Sequence, residues 1–125
     1  MPDRGKLAKV ARVNVRPEVW TSLLLLLTTG CASFRHADDP WWGPDKAKHF
    51  ASSFAVAAGT TMALASSTGE DPAMAAGIGT TMALGTGKEL YDRDIKHTYF
   101  SGKDLAWDLI GSLLGGFAGA QLAED

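Results

Sequence analysis

The sequence predicts an all-α protein, a small up-down-up three-helix bundle that follows a cleaved signal peptide and a flexible tether. Three long stretches without charged residues are separated by short breaks rich in glycine, proline and charge. These stretches are residues 50–69, 72–87 and 109–123. β-branched residues are too few, and polar and apolar residues alternate too poorly, to favour strands. A chain of 125 residues allows one small domain.

Residues 1–30 have the composition of a secretory signal peptide. They hold five basic and two acidic residues, whereas the remaining chain holds 7 basic and 12 acidic residues. The basic stretch precedes a short apolar run at 19–27 and small residues at 28–30, which is the order of a signal peptide. The run is about half the ~20 residues of a spanning helix. The acidic remainder argues against a nucleic-acid partner.

The single cysteine of the chain, Cys31, directly follows this segment. Residues 27–31 (LTTGC) resemble the lipobox of bacterial lipoproteins, whose cysteine receives a diacylglycerol and becomes the first residue after cleavage. The alternative is a buried or unpaired cysteine behind an ordinary signal peptide. Resemblance to Gram-negative lipoproteins, with Ala32 after the cysteine, implies a lipid anchor in the outer membrane on the periplasmic side of the envelope.

Residues 31–44 are predicted to form the tether, because Gly43 and Pro44 interrupt regular structure. Trp41 and Trp42 lie within this segment. Tryptophan is favoured at the level of lipid headgroups, so we expect this pair at a membrane interface. The alternative is that both rings pack in the protein core.

Three helices are predicted in a domain that spans residues 45–123. The segment 68–72 (TGEDP) ends the first helix and starts the second. Ser101 is the predicted N-cap of the third helix, with Asp104 three residues later as an imperfect capping box. The predicted helices run from Asp45 to Ser67, from Pro72 to Asp92 and from Gly102 to Leu122.

Small residues are expected to bring these helices close together. Gly111, Gly115 and Gly119 recur every four residues and therefore share one helix face. Each glycine weakens a helix by roughly 1 kcal/mol relative to alanine, so this face indicates a neighbouring helix packed against it. The phrase GTTMAL at 59–64 recurs at 79–84, which reflects either a duplicated helix or a bias to small residues.

Charged residues collect at one predicted end of the bundle. In an up-down-up bundle the start of helix one, the end of helix two and the start of helix three meet. Asp104 and Asp108 share the glycine face and are expected to point inward, where carboxylates need partners. The members of this predicted polar cluster are Asp45, Lys46, His49, Lys88, Glu89, Asp92, Asp104 and Asp108.

Two interpretations of the polar cluster stay open. It forms either a network that fixes helix register or a functional site, because acids clustered near a histidine also describe catalytic centres. The sequence contains no HExxH, GxSxG, Walker or dinucleotide-binding motif. We therefore assign no catalytic residue, predict no metal and no cofactor, and lean towards a protein that is not an enzyme.

Three segments carry a resemblance to a known family. Residues 42–50 (WGPDKAKHF), 85–92 (GTGKELYD) and 100–111 (FSGKDLAWDLIG) are similar, in matching order, to the YfiM-type family of predicted periplasmic lipoproteins. The resemblance covers residues 31–122. It implies a lipoprotein, but the family has no established biochemical activity, so no catalytic residue can be carried over.

A fainter similarity links the chain to VanZ-like membrane proteins and implies membrane-embedded helices. The residues that carry it are Asp45, Lys46, His49, Glu89, Asp104, Leu105, Gly111 and Gly115. We predict a non-catalytic envelope lipoprotein, held at the membrane by its anchor, that binds lipid or a protein partner through its small-residue helix faces. The alternative is an enzyme that modifies envelope lipid or cell wall with the Asp/Glu/His cluster.

Overall fold

The computed structural model of the chain describes residues 17, 18, 21, 36 and 38–124. It contains three helices: α1 (Pro44–Thr68), α2 (Glu70–Asp94) and α3 (Gly102–Glu124). Every pair of helices is in contact, and α1 and α3 share the most extensive interface. The predicted all-α, three-helix architecture is confirmed for this part of the chain. Most of the predicted signal peptide, and Cys31, lie outside the described residues.

A single residue, Gly69, joins α1 to α2. The predicted break at 68–72 is therefore too long, since Thr68 ends one helix and Glu70 begins the next. Gly69 has φ 87° and ψ 164°, in a region that residues with a side chain rarely adopt. Pro72 does not interrupt α2, because it lies in the first turn, where backbone N–H groups have no helical acceptor.

α3 begins directly after Ser101, as predicted. The Ser101 hydroxyl accepts a hydrogen bond from the backbone N–H of Asp104 at 3.1 Å, which is an N-cap contact. The predicted capping box is only half formed. The backbone N–H of Ser101 donates to the Glu89 carboxylate at 2.8 Å rather than to Asp104, so the Asp104 carboxylate is free for other partners.

The glycine face of α3 packs directly against the backbone of α1. A Cβ added at Gly111, Gly115 or Gly119 would overlap a carbonyl oxygen of α1. The residues that supply these carbonyls are Phe50, Phe54 and Ala58. This face is occupied inside the bundle, which corrects our expectation that it binds lipid or a partner.

The fully buried interior of the described bundle consists of small and polar side chains, and the large apolar side chains are half-buried or exposed. Among the described residues, the buried hydrophobic side chains are three alanines: Ala57, Ala73 and Ala120. Five large apolar side chains, each 42–61% exposed, define what we call the outer face of α3. They are Leu109, Ile110, Leu113, Leu114 and Phe117. No helix in the described part of the chain combines the length and the hydropathy needed to span a membrane.

Replacing Gly115 with alanine should lower the free energy of unfolding by about 1–3 kcal/mol, the usual cost of overpacking. Alanine improves helix propensity by up to ~1 kcal/mol, but its Cβ would overlap the Phe54 carbonyl. Gly59→Ala is the matched control, because that exposed helical glycine has no atom within 4 Å of an added Cβ. Urea unfolding followed by circular dichroism should show the control stabilised. Equal stabilisation of both variants would contradict the packed glycine face.

Candidate functional site

Lys46 lies at the centre of a buried ion network where α1 and α3 begin. Its Nζ forms ion pairs with Asp39 and Asp104, and all three residues are at most 5% exposed. Burial alone would lower the pKa of Lys46, but hydrogen bonds from its ammonium to the two carboxylates raise that pKa above its ordinary value. This one cation therefore ties α3 and the segment before α1 to the first turn of α1.

His49 extends the network by one turn of α1. Its Nε2 lies 3.3 Å from Asp104 Oδ2 and its Nδ1 lies 3.0 Å from Asp108 Oδ1. Hydrogen bonds to Asp104 and to Asp108 raise the pKa of His49 to about 10. At neutral pH the ring is thus an imidazolium that donates from both nitrogens. Acid–base catalysts work best with a pKa near the ambient pH, so His49 is suited to be a fixed cation.

Asp104 is the carboxylate that Lys46 and His49 share. Burial would raise the pKa of Asp104, but hydrogen bonds from the two cations lower it to about 2. The carboxylate is therefore ionised across the physiological range. A buried ion pair offsets its desolvation cost only when the geometry is good and the remaining hydrogen bonds are made, and the bridged Asp104 meets that condition.

Asp108 is only half satisfied. Its Oδ1 accepts hydrogen bonds from His49 Nδ1 and, at 2.6 Å, from the Ser53 hydroxyl. Its Oδ2 has no hydrogen-bond partner among the described residues, although Asp108 is only 2% exposed. This oxygen lies beside Gly85, where any side chain would overlap it. Buried polar atoms without a partner are rare in proteins, so Asp108 Oδ2 calls for an explanation.

The predicted residues of α2 form a second network beside the first. Lys88 Nζ lies 3.0 Å from Glu89 Oε1 and 2.8 Å from Asp92 Oδ2, and Lys96 Nζ lies 2.9 Å from Asp92 Oδ1. Burial opposes the charge of Lys88, but both carboxylates raise its pKa above the ordinary value. Hydrogen bonds from Lys88 and Lys96 lower the pKa of Asp92. Glu89, 1% exposed, is the buried end of this network.

Ser101 joins the two networks, because it contacts both Glu89 and Asp39. Asp39 is not among the predicted members of the polar cluster. The Ser101 hydroxyl donates to Asp39 Oδ2 at 2.5 Å, and Lys103 Nζ donates to the backbone carbonyl of Asp39. Asp39 belongs to the segment that we predicted to be a flexible tether, yet it is 2% exposed and held by three partners. No periodic pattern precedes α1. The one available signal was a carboxylate directly before Pro40.

Asp45, a predicted member of the cluster, stays at the surface. Its side chain is 67% exposed and its Oδ2 lies 3.9 Å from Lys46 Nζ. Asp45, His49 and Asp104 each offer one potential metal-ligand atom, and these atoms lie within 4.8 Å of one another. The His49 imidazolium would have to lose a proton, and a carboxylate partner, before it could ligate an ion.

Tryptophan side chains lie at the same end of the bundle. Trp107 Nε1 donates to the backbone carbonyl of Trp41 at 2.8 Å. The rings of Trp42 and Trp107 make an edge contact with centroids 5.1 Å apart, and Lys103 Nζ lies 5.5 Å from the Trp41 ring centroid. Trp41 and Trp42 are 47% and 76% exposed. Exposed indole rings therefore lie beside the buried ions.

Comparison with known proteins adds nothing to this geometry. No protein-family model, curated protein or solved structure matches the chain. The similarity to YfiM-type lipoproteins, and the fainter one to VanZ-like membrane proteins, stay predictions from the sequence. Among the described residues, the features that bear on function are two charge-paired networks, the unpartnered Oδ2 of Asp108, and large apolar side chains on the outside of α3.

The stability of the protein should fall as the pH rises from about 6.5 to about 10. The pKa of His49 is near 6.5 in the unfolded chain and about 10 in the folded protein. Because the folded value is the higher one, the stabilisation is complete below pH 6.5 and is lost as the pH rises through 10. Urea unfolding at about pH 6, 8 and 10.5, which bracket this range, measures the change.

His49→Gln should remove most of this pH dependence. The matched control is His97→Asn, which deletes an exposed imidazole at a position with φ 55° that asparagine tolerates. The control should keep the slope of the parent. If stability falls with the same slope in His49→Gln as in the parent, His49 is not the buried imidazolium described above.

Proposed function

We propose that this protein is a bacterial envelope lipoprotein whose helical domain contacts membrane lipid and is not a catalyst. In this proposal residues 1–30 are a signal peptide that is removed, and Cys31 carries the lipid on the periplasmic side of the outer membrane. The lipobox-like segment 27–31 supports the anchor. Pro44 begins α1 thirteen residues after Cys31, so an anchored cysteine would hold the domain close to the bilayer.

The observation that carries the proposal is the placement of the large apolar side chains. The outer face of α3 exposes five of them on one continuous side of a helix. Between Leu109 and Ala123 the chain has no charged residue. Moving this side of α3 from water into lipid therefore carries no cost of desolvating a charge. A contiguous exposed apolar face of this kind marks a contact with a membrane or a partner.

Two features favour lipid over a protein partner. Trp41 and Trp42 are exposed, and tryptophan is enriched where a membrane meets water. A lipid on Cys31 would also keep the domain at the bilayer surface, so that even a weak lipid contact would be populated. The outer face of α3 is therefore proposed to lie in the interface of the bilayer, with the helix along its surface.

The alternative function stays a prediction. It is a VanZ-like membrane-embedded protein, or an enzyme that modifies envelope lipid or cell wall with the Asp/Glu/His cluster. Against it, the pKa of His49 is about 10, far from that of an efficient acid–base group. Alanine at His49, Glu89 or Asp108 separates the two functions. Loss of folding favours a structural network, whereas a folded variant with a lost envelope phenotype favours an enzyme.

Contact of the outer face with lipid can be tested by fluorescence. Full-length protein purified from membranes is reconstituted in phosphatidylcholine vesicles whose acyl chains carry bromine, which quenches nearby tryptophans. Phe117→Trp and Ile95→Trp each add one tryptophan, and the one at residue 117 should be quenched at least about twice as strongly. Interfacial helices penetrate a bilayer by roughly 5–10 Å, and of the two positions only residue 117 would lie within that depth. Both parent side chains are about equally exposed, at 61% and 60%. Equal quenching at the two positions would contradict the proposed lipid contact.

Lipidation is predicted at Cys31. Mass spectrometry of the membrane fraction should find a mature chain that begins at Cys31 and carries acyl chains. The Cys31→Ser variant should be found without them and should not be cleaved at that position. An unmodified mature chain outside the membrane fraction would refute the lipoprotein assignment.

A further inference from the structure

A cavity of about 290 Å³ opens between α1 and α2, next to the unpaired oxygen of Asp108. Asp108 and Gly85 both line it, and the missing side chain of Gly85 makes room for Asp108 Oδ2. His49 also lines the cavity, but both of its ring nitrogens are bound to carboxylates. Among the described residues that line the cavity, Asp108 Oδ2 is therefore the one buried side-chain atom without a hydrogen-bond partner.

The hydroxyl groups of the cavity wall have already used their hydrogens. Ser52 Oγ donates to the backbone carbonyl of His49 at 3.2 Å, and Ser53 Oγ donates to Asp108 at 2.6 Å. Thr81 Oγ1 donates to the backbone carbonyl of Gly77 at 2.8 Å. Each oxygen keeps lone pairs that can accept a hydrogen bond. The inner wall thus presents acceptors, and its occupant must bring donors.

The mouth of the cavity carries exposed charges of both signs, because Asp45 and Lys48 both line it. Lys48 is exposed there and forms no ion pair with the other described residues. Lys88 also lines the mouth, although its charge is shared with Glu89 and Asp92. An ammonium group attracts phosphate as a point charge. The wall also includes Val56, whose apolar side chain suits a short alkyl link.

We infer that this cavity binds a primary alkylammonium group joined to a phosphate, as in phosphoethanolamine. The ammonium lies inside, where its three N–H donors meet Asp108 Oδ2 and the serine and threonine oxygens. The phosphate lies at the mouth against Lys48. Occupancy supplies the missing partner of Asp108 Oδ2 and pairs the exposed Lys48. The source is either a soluble aminophosphate or the headgroup of phosphatidylethanolamine, and both present the same chemistry.

This inference goes beyond the proposed contact of α3 with lipid and does not depend on it. Quenching in phosphatidylcholine vesicles tests the outer face without adding any ligand that carries a primary ammonium. Binding of soluble phosphoethanolamine tests the cavity without a bilayer. The two proposals can therefore fail separately.

The first test is calorimetric titration of the purified full-length protein in detergent. Phosphoethanolamine should bind at least about tenfold more tightly than phosphocholine, which has no N–H donors, since that ratio corresponds to one charge-assisted hydrogen bond. Sodium chloride and inorganic phosphate are titrated separately. Equal binding of phosphocholine, or binding of sodium or phosphate alone with the same affinity, would overturn the inference.

Two variants that keep every charged residue of the ion network locate the site. Gly85→Ala places a methyl group against Asp108 Oδ2 and should weaken phosphoethanolamine binding about tenfold or more, whereas Gly87→Ala on the same helix has open space and should not change it. Lys48→Gln should weaken phosphoethanolamine binding but leave ethylamine binding unchanged. Thermal melts establish that each variant is folded. Folded Gly85→Ala and Lys48→Gln variants that bind like the parent would overturn the inference.

The source of the ligand is distinguished in vesicles. The protein is reconstituted in phosphatidylcholine with and without phosphatidylethanolamine, and soluble phosphoethanolamine is then titrated. If the lipid headgroup occupies the cavity, phosphatidylethanolamine should compete and lower the apparent affinity of the soluble probe. Unchanged affinity identifies a soluble aminophosphate as the ligand, which also supports the inferred chemistry.

Discussion

The fold depends on the buried ions that join the first turns of α1 and α3. Lys46 and His49 on α1 meet Asp104 and Asp108 on α3, and each of these charges would be expensive to bury alone. Because Asp104 is shared by both cations, removing it takes one ionic partner from Lys46 and one from His49. The ion network therefore selects one register between α1 and α3. It also recruits Asp39, so that the segment before α1 becomes part of the same structure.

The close approach of the helices follows from this register. With Asp104 and Asp108 held against α1, the glycines one to three turns further along α3 face the carbonyls of α1. The space between these helices is then too narrow for large side chains, and alanine, serine, threonine and glycine fill it. Many leucine, isoleucine and phenylalanine side chains are consequently left exposed, five of them on the outer face of α3. The exposed apolar surface and the buried charges are two consequences of one arrangement.

Much of this arrangement could be predicted from the spacing of residues in the sequence. The four-residue period of Gly111, Gly115 and Gly119 predicted the packed face and the inward direction of Asp104 and Asp108. The predicted polar cluster also included Asp45, but the buried positions of α1 are 46, 49, 53, 57 and 61. Because successive residues of an α-helix are rotated by about 100° around its axis, Asp45 lies roughly 100° away from the centre of these buried positions. Asp39 and the unpaired oxygen of Asp108 depend on tertiary contacts, which no local pattern reports.

A double-mutant cycle on Lys46 and Asp104 tests most directly whether the ion network holds the bundle together. Lys46→Met and Asp104→Leu should each lower the free energy of unfolding by about 3–5 kcal/mol, since each removes an ionic partner from two buried charges. The double variant should lose at least about 1 kcal/mol less than the sum of the two single losses, because the residues contact each other. Additive losses, or single losses below about 0.5 kcal/mol typical of surface substitutions, would contradict the account.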